Sequence, residues 1–142
     1  MTAERRLSLW LRIWAPLFAL GGAAFYLVPK QVTSNLNVAA RMSGLEESPV
    51  DADNIWLVLA VAYMALITRL AQSAAAEPLK RQDLVEMLIL GKAVSSLGAL
   101  GYFLGRRRSY AFGLNFVLDG GICATTWALL GAARREAGVS AA

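Results

Sequence analysis

The chain has 142 residues, with 14 Lys and Arg against 10 Asp and Glu for a formal net charge of +4, a length that fits one domain. Hydrophobic residues make up 57% and charged residues only 17%, and mean hydropathy is +0.49; a soluble domain carries less of the first and more of the second. The apolar residues bunch into long runs with the cations at their ends, which excludes a nucleic-acid footprint and points to a small polytopic membrane protein.

Residues 1–12 are basic and partly amphipathic. Arg5, Arg6 and Arg12 flank Trp10 and Trp14, a pattern that suits an interfacial anchor with snorkelling arginines. A signal peptide can open in this way too, but the segment reads as the first span, about residues 8–28. Pro16 lies inside it and predicts a bend. Pro29 ends it, and the stretch 29–54 is the longest polar segment. There Val32, Leu36, Ala39 and Ala40 share a helical face, so a short helix lying on the membrane surface is expected, stopped at Gly44. EESPVDAD then forms a turn, with Asp53 or Asn54 as N-cap of the next span. The segment reads either as a folded connector or as a lid or docking loop.

The second span covers about residues 55–72, and Arg69 near its end can snorkel. Pro78 suits the first turn of the next helix, so the third span, about 80–105, begins before the membrane. Glu86 there is expected to pair with Arg69 or Arg81 at the rim. RRRSY is a tight turn, and the fourth span returns over about 111–133. The expected fold is a single all-α membrane domain: a four-transmembrane-helix bundle with a short interfacial helix after the first span.

Four spans place both termini on one side. That side carries Arg5, Arg6, Arg12, Arg69, Lys80, Arg81, Arg134 and Arg135, against Lys30, Arg41, Arg106, Arg107 and Arg108 on the other. The majority favours cytoplasmic termini in a cell (inner or plasma) membrane. Arg106, Arg107 and Arg108 then lie outside. They are either a solvated turn or a site for lipid phosphate or an acidic partner.

The last two spans each carry one charge that lipid does not tolerate, Lys92 and Asp119. At about 1.5 Å per residue, Lys92 lies roughly 12 Å from one surface and Asp119 roughly 13 Å from the other. Both are therefore near mid-depth of a core about 30 Å thick, where such residues face the bundle and pair. Asn115, Asp119, Ile122, Cys123 and Thr126 share one face of the fourth span, and Lys92, Ser95 and Ser96 one face of the third. The two stripes read as an interhelical clip, or as a relay or headgroup site. Beside them run rows of small residues, Gly120, Ala124 and Ala128 on the fourth span and Gly101 and Gly105 on the third. Such rows let helix backbones approach closely. More of them exist than four helices hide, which points to other membrane subunits or a homo-oligomer besides membrane lipids.

The chain has no histidine and a single cysteine. It thus lacks the usual haem and metal ligands, the commonest general base and any internal disulfide, so no cofactor or metal is expected. No nucleophile–base arrangement, phosphate loop or HExxH motif occurs, and no enzymatic role is expected. The leading expectation is an accessory or structural subunit of a larger membrane complex. The alternative is a small transporter or a lipid- or amphiphile-binding protein that uses Lys92 and Asp119, and the last is a membrane enzyme with Lys92 as base.

Overall fold

The computed structural model describes residues 1–49, 55–106 and 108–138. Five helices follow in chain order: α1 (Ala3–Leu27), α2 (Pro29–Ser43), α3 (Ile55–Ala75), α4 (Gln82–Gly105) and α5 (Tyr110–Glu136). All except α2 are long and apolar enough to cross a membrane. The Asp53 and Asn54 cap positions lie outside the described residues.

Local chemistry explains the helix limits. The Thr2 hydroxyl accepts a hydrogen bond from the Arg5 N–H, and Glu4 sits in the first turn, so side chains answer both the open donors and the dipole of α1. Pro16 lies within α1, which stays helical on both sides of it. Val28 breaks the helix for a single residue. Pro29 then occupies the first position of α2, where its missing N–H leaves no helical bond unmade. Gly44 closes α2 at φ 65°, a left-handed conformation that costs glycine little, and its N–H reaches back to Ala40 and Arg41.

α2 packs on α5 and α1 through Asn37 and Ala40, which are buried, with Val32, Leu36 and Ala39 half-buried around them. The strand-like stretch after it clamps onto the turn before α5. The Glu46 N–H donates to the Arg108 carbonyl at 3.1 Å, and the Tyr110 N–H to the Glu46 carbonyl at 3.3 Å. The Ser48 and Ser109 hydroxyls meet at 3.0 Å. Asn37 holds the clamp from beneath, donating to the Ser48 carbonyl and accepting from the Ser48 N–H, both at 2.8 Å. Asn37→Leu is expected to cost about 1–2 kcal/mol, since it leaves two part-buried backbone groups of Ser48 without their partner. Faster proteolysis at residues 45–49 than in the parent protein is the readout.

The four long helices form a ring in the order α1, α3, α4, α5, each packed on the next and α5 on α1. Neighbours run antiparallel, and the start of α1 meets the end of α5 at one end of the bundle. There the Ala3 N–H donates to the Glu136 carboxylate at 2.7 Å and the Ser8 hydroxyl to the Ala75 carbonyl at 2.5 Å. Glu86 does not pair with Arg69 or Arg81 as expected. It takes Arg134, which also bonds Gln82 at 3.2 Å. The reason is geometric: the last turn of α5 lies against the first turn of α4, whereas Arg81 turns back to the Ser73 carbonyl at 2.9 Å. On the exposed α3–α4 link, Glu77 and Lys80 pair at 2.8 Å, which lowers the Glu77 carboxyl and raises the Lys80 ammonium from their ordinary values.

The core follows helical spacing. Leu7, Leu11, Ala15 and Phe18 of α1 pack with Ile67, Ala71 and Ala74 of α3, Val85 and Leu88 of α4, and Ile122 and Leu130 of α5. Outside the ring, Leu20, Leu90, Val94 and Trp127 each expose more than 60% of their surface. Apolar exposure on this scale, on helices long enough to span a bilayer, is consistent with a membrane protein.

Candidate functional site

Midway along the bundle, each of the four long helices gives one side chain to a single polar layer. Lys92 of α4 and Asp119 of α5 meet with Nζ 2.8 Å from Oδ1, and both are almost fully buried, 2% and 6% exposed. Phe18 of α1 places its ring centroid 4.4 Å from the ammonium, and Tyr63 of α3 places its ring 5.5 Å away. Both distances lie within the roughly 6 Å over which a ring face attracts a cation. The ammonium therefore has one carboxylate and two aromatic faces as its surroundings.

Local sequence explains each placement. Phe18 ends an α1 column of Trp10, Trp14 and Phe18 at i, i+4 and i+8. Trp10 and Trp14 meet edge to face and Trp14 stacks on Phe18, each with centroids 5.5 Å apart. Trp10 and Trp14 are half-buried. The column points inward, and Trp10 Nε1 donates to Thr126 Oγ1 at 2.9 Å. Tyr63 is seated against Gly91, where a Cβ would lie 3.3 Å from the hydroxyl and 3.2 Å from Ile67.

The remaining polar residues of the two stripes divide between neighbours. Ser96 Oγ donates to the Phe116 carbonyl at 2.9 Å. Asn115 Nδ2 donates to Ser95 Oγ at 3.1 Å. Both bonds join α4 to α5 on the side of Lys92 nearer the Arg106 end. Thr126 belongs elsewhere: it bonds the Ile122 carbonyl in its own helix at 2.6 Å and faces α1 through Trp10. Spacing along α5 alone could not separate it from the α4-facing set, because the bundle wraps α5 between two neighbours.

Two buried donors have no partner among the described residues, Tyr63 Oη and Trp14 Nε1. A groove of about 510 Å³ between α3 and α4 is bordered by Tyr63, Gly91 and Ser95, with Ala60, Leu90 and Val94 making its apolar walls.

The small-residue rows separate into inner and outer positions. Gly120 faces α4, where a Cβ would stand 2.9 Å from Ser96 Oγ. Gly101 and Gly105 look outward with nothing within 4 Å of a Cβ, as does Gly121. Ala124 and Ala128 are exposed. Among the described residues, space beside Gly101, Gly105 and Gly121 is open. Arg106 and Arg108 are exposed, Arg106 lying 5.6 Å from the Tyr102 ring centroid, while Arg107 lies outside the described residues.

Comparison with protein-family models, with curated proteins and with solved structures finds no match to this chain.

Proposed function

We propose that the four long helices cross a membrane, with α2 resting at its surface, and that the protein is an accessory or structural subunit of a larger membrane assembly. The observation that carries this reading is the open outward placement of Gly101, Gly105 and Gly121, with Ala124 and Ala128 also on the outside. Glycine in a helix costs roughly 1 kcal/mol relative to alanine, and lipid supplies nothing in return. A partner helix does, because close backbone approach is the main source of helix association in a bilayer. The ion pair supports the same reading. Its two members satisfy each other inside the bundle, as a clip that sets the rotation of α4 against α5. Cytoplasmic termini follow from the excess of Lys and Arg at the end where the termini meet.

A second reading, a small carrier or amphiphile-binding protein centred on Lys92 and Asp119, is favoured by Tyr63, which borders the α3–α4 groove and whose buried hydroxyl has no partner among the described residues. Extraction of the tagged full chain in mild detergent, followed by a mass measurement of the intact complex, separates the two. Stoichiometric recovery of other membrane chains, or a defined oligomer of this chain, is the expected result. A lone protomer that binds an amphiphile in a Tyr63-dependent way would replace the subunit reading with the carrier.

A further inference from the structure

Arg12 on α1 and Arg69 on α3 are exposed, and neither has a carboxylate partner among the described residues. Arg69 lines a groove between the two helices. Its α3 wall is Val61, Ala65, Thr68, Arg69 and Gln72, and its α1 wall is formed chiefly by Ala19, Gly22, Ala23 and Tyr26. Together these border an open groove of about 440 Å³. Arg12 lies on the same α1 face as Ala19, Ala23 and Tyr26, by successive i+3 and i+4 steps through Pro16. Two contacts set the register of the helices: Ser8 bonds Ala75, and Gly22 abuts Met64. That register puts Arg12 level with Gln72 and within about one turn, 5.4 Å, of Arg69.

The groove is therefore amphipathic along its length. Arg69 and Gln72 stand at the end nearer the start of α1, and the helix register brings Arg12 to their level on the facing helix. From there a channel floored by alanine and glycine rises to Tyr26. Arg12 to Tyr26 covers about 21 Å of helix, more than the half-thickness of a hydrocarbon core of about 30 Å.

We propose that this groove binds one anionic phospholipid from the leaflet that holds the chain termini. An acyl chain lies along Ala19, Ala23, Val61 and Ala65, and the phosphate is received by Arg12 and Arg69 with the Gln72 amide beside them. Guanidiniums offer paired donors that match phosphate oxygens. With no carboxylate nearby to balance them, they favour a headgroup of net negative charge over one whose own ammonium cancels the phosphate. Long arginine side chains reach outward from the apolar zone to the phosphate level. The inference rests on the membrane placement proposed above.

The test uses the full chain in mild detergent, titrated with phosphatidylglycerol or phosphatidylcholine of matched chains and followed by native mass spectrometry. One tightly held phosphatidylglycerol per chain is expected, with phosphatidylcholine weaker. At roughly fivefold per arginine, Arg12→Gln with Arg69→Gln should weaken phosphatidylglycerol binding about thirtyfold. Ala19→Leu with Ala65→Leu fills the channel but leaves both arginines, and should also abolish the tight adduct. Ala19 and Ala65 are exposed, so filling them should not unfold the chain; unchanged helical circular dichroism verifies this. Equal binding of the two lipids, or parental binding by the arginine variant, overturns the site. Loss in the arginine variant without loss in the leucine variant reduces it to surface attraction and overturns the groove. A chain that stays soluble and monodisperse without detergent removes the membrane placement itself, a result distinct from loss of lipid selectivity.

Discussion

Lys92→Met and Asp119→Leu are each expected to destabilise the protein by about 3–5 kcal/mol, while the two together recover most of that loss. A single replacement leaves one charge in the bundle centre with nothing opposite it, and the rings of Phe18 and Tyr63 are no substitute for a carboxylate. Removing both leaves methionine and leucine, which fill comparable volume, need no hydrogen bond and still pack between α4 and α5. The coupling between the two positions should therefore be large and favourable to the double variant, as it is for side chains in direct contact. Thermal unfolding in one fixed detergent, followed by helical circular dichroism, reads the stability of all four proteins. Single-variant losses that simply add in the double variant would mean that the pair is not a mutual neutralisation. The outcome also bears on function. A stable double variant that still enters its assembly makes the pair a clip, whereas one that folds but loses ligand transport or binding makes it part of a carrier site.

The ion pair was legible in the sequence because it depends on depth alone. A helix advances a fixed distance per residue, so two charges on antiparallel neighbours can be placed at one level by counting from each end. Gly44 as the stop of α2 was legible for a similar reason: a backbone conformation tied to one residue type is a local matter. Azimuth was not legible. Trp10 and Trp14 lie among arginines and carry the composition of an interfacial belt, yet their column turns inward, where Thr126 of α5 bonds Trp10 and Lys92 of α4 lies over Phe18. Glu86 has oppositely charged residues nearby in sequence and takes Arg134 instead, since the α4–α5 contact puts their ends together. Arg69 read as a snorkelling cation with no further role. Only the register of α1 on α3 sets Arg12 at almost its level on the same groove. In each case the missing information is the rotation of a helix about its own axis. Packing of distant segments sets that rotation, and a one-dimensional period leaves it open when a helix is apolar on most sides.

Glycines of one type should give opposite results according to the side of the helix they occupy. At Gly22 a Cβ would stand 3.0 Å from Met64 Cβ, an atom fixed to the backbone that cannot swing away. Leucine there must push α1 off α3. At Gly120 the obstacle is Ser96 Oγ at 2.9 Å. It can rotate aside, but only by giving up the Phe116 carbonyl, and the rest of a leucine side chain would still be wedged between α4 and α5 beside the ion pair. Gly22→Leu and Gly120→Leu are each expected to cost about 1–3 kcal/mol or more through overpacking, with Gly22→Leu the worse of the two. Gly101→Leu, Gly105→Leu and Gly121→Leu meet open space. In the isolated protein they should be neutral or stabilising by up to about 1 kcal/mol, since leucine is the better helix former. Their effect should appear only in the assembly, as loss of co-purifying chains or a smaller complex mass at unchanged unfolding temperature. Detergent unfolding of all five variants, paired with complex mass for the outer three, separates the two kinds of position. If the outer leucines leave the complex whole, those glycine faces look onto lipid and the subunit reading fails, while the cost at Gly22 and Gly120 still stands as a statement about how closely the helices of each hairpin must meet.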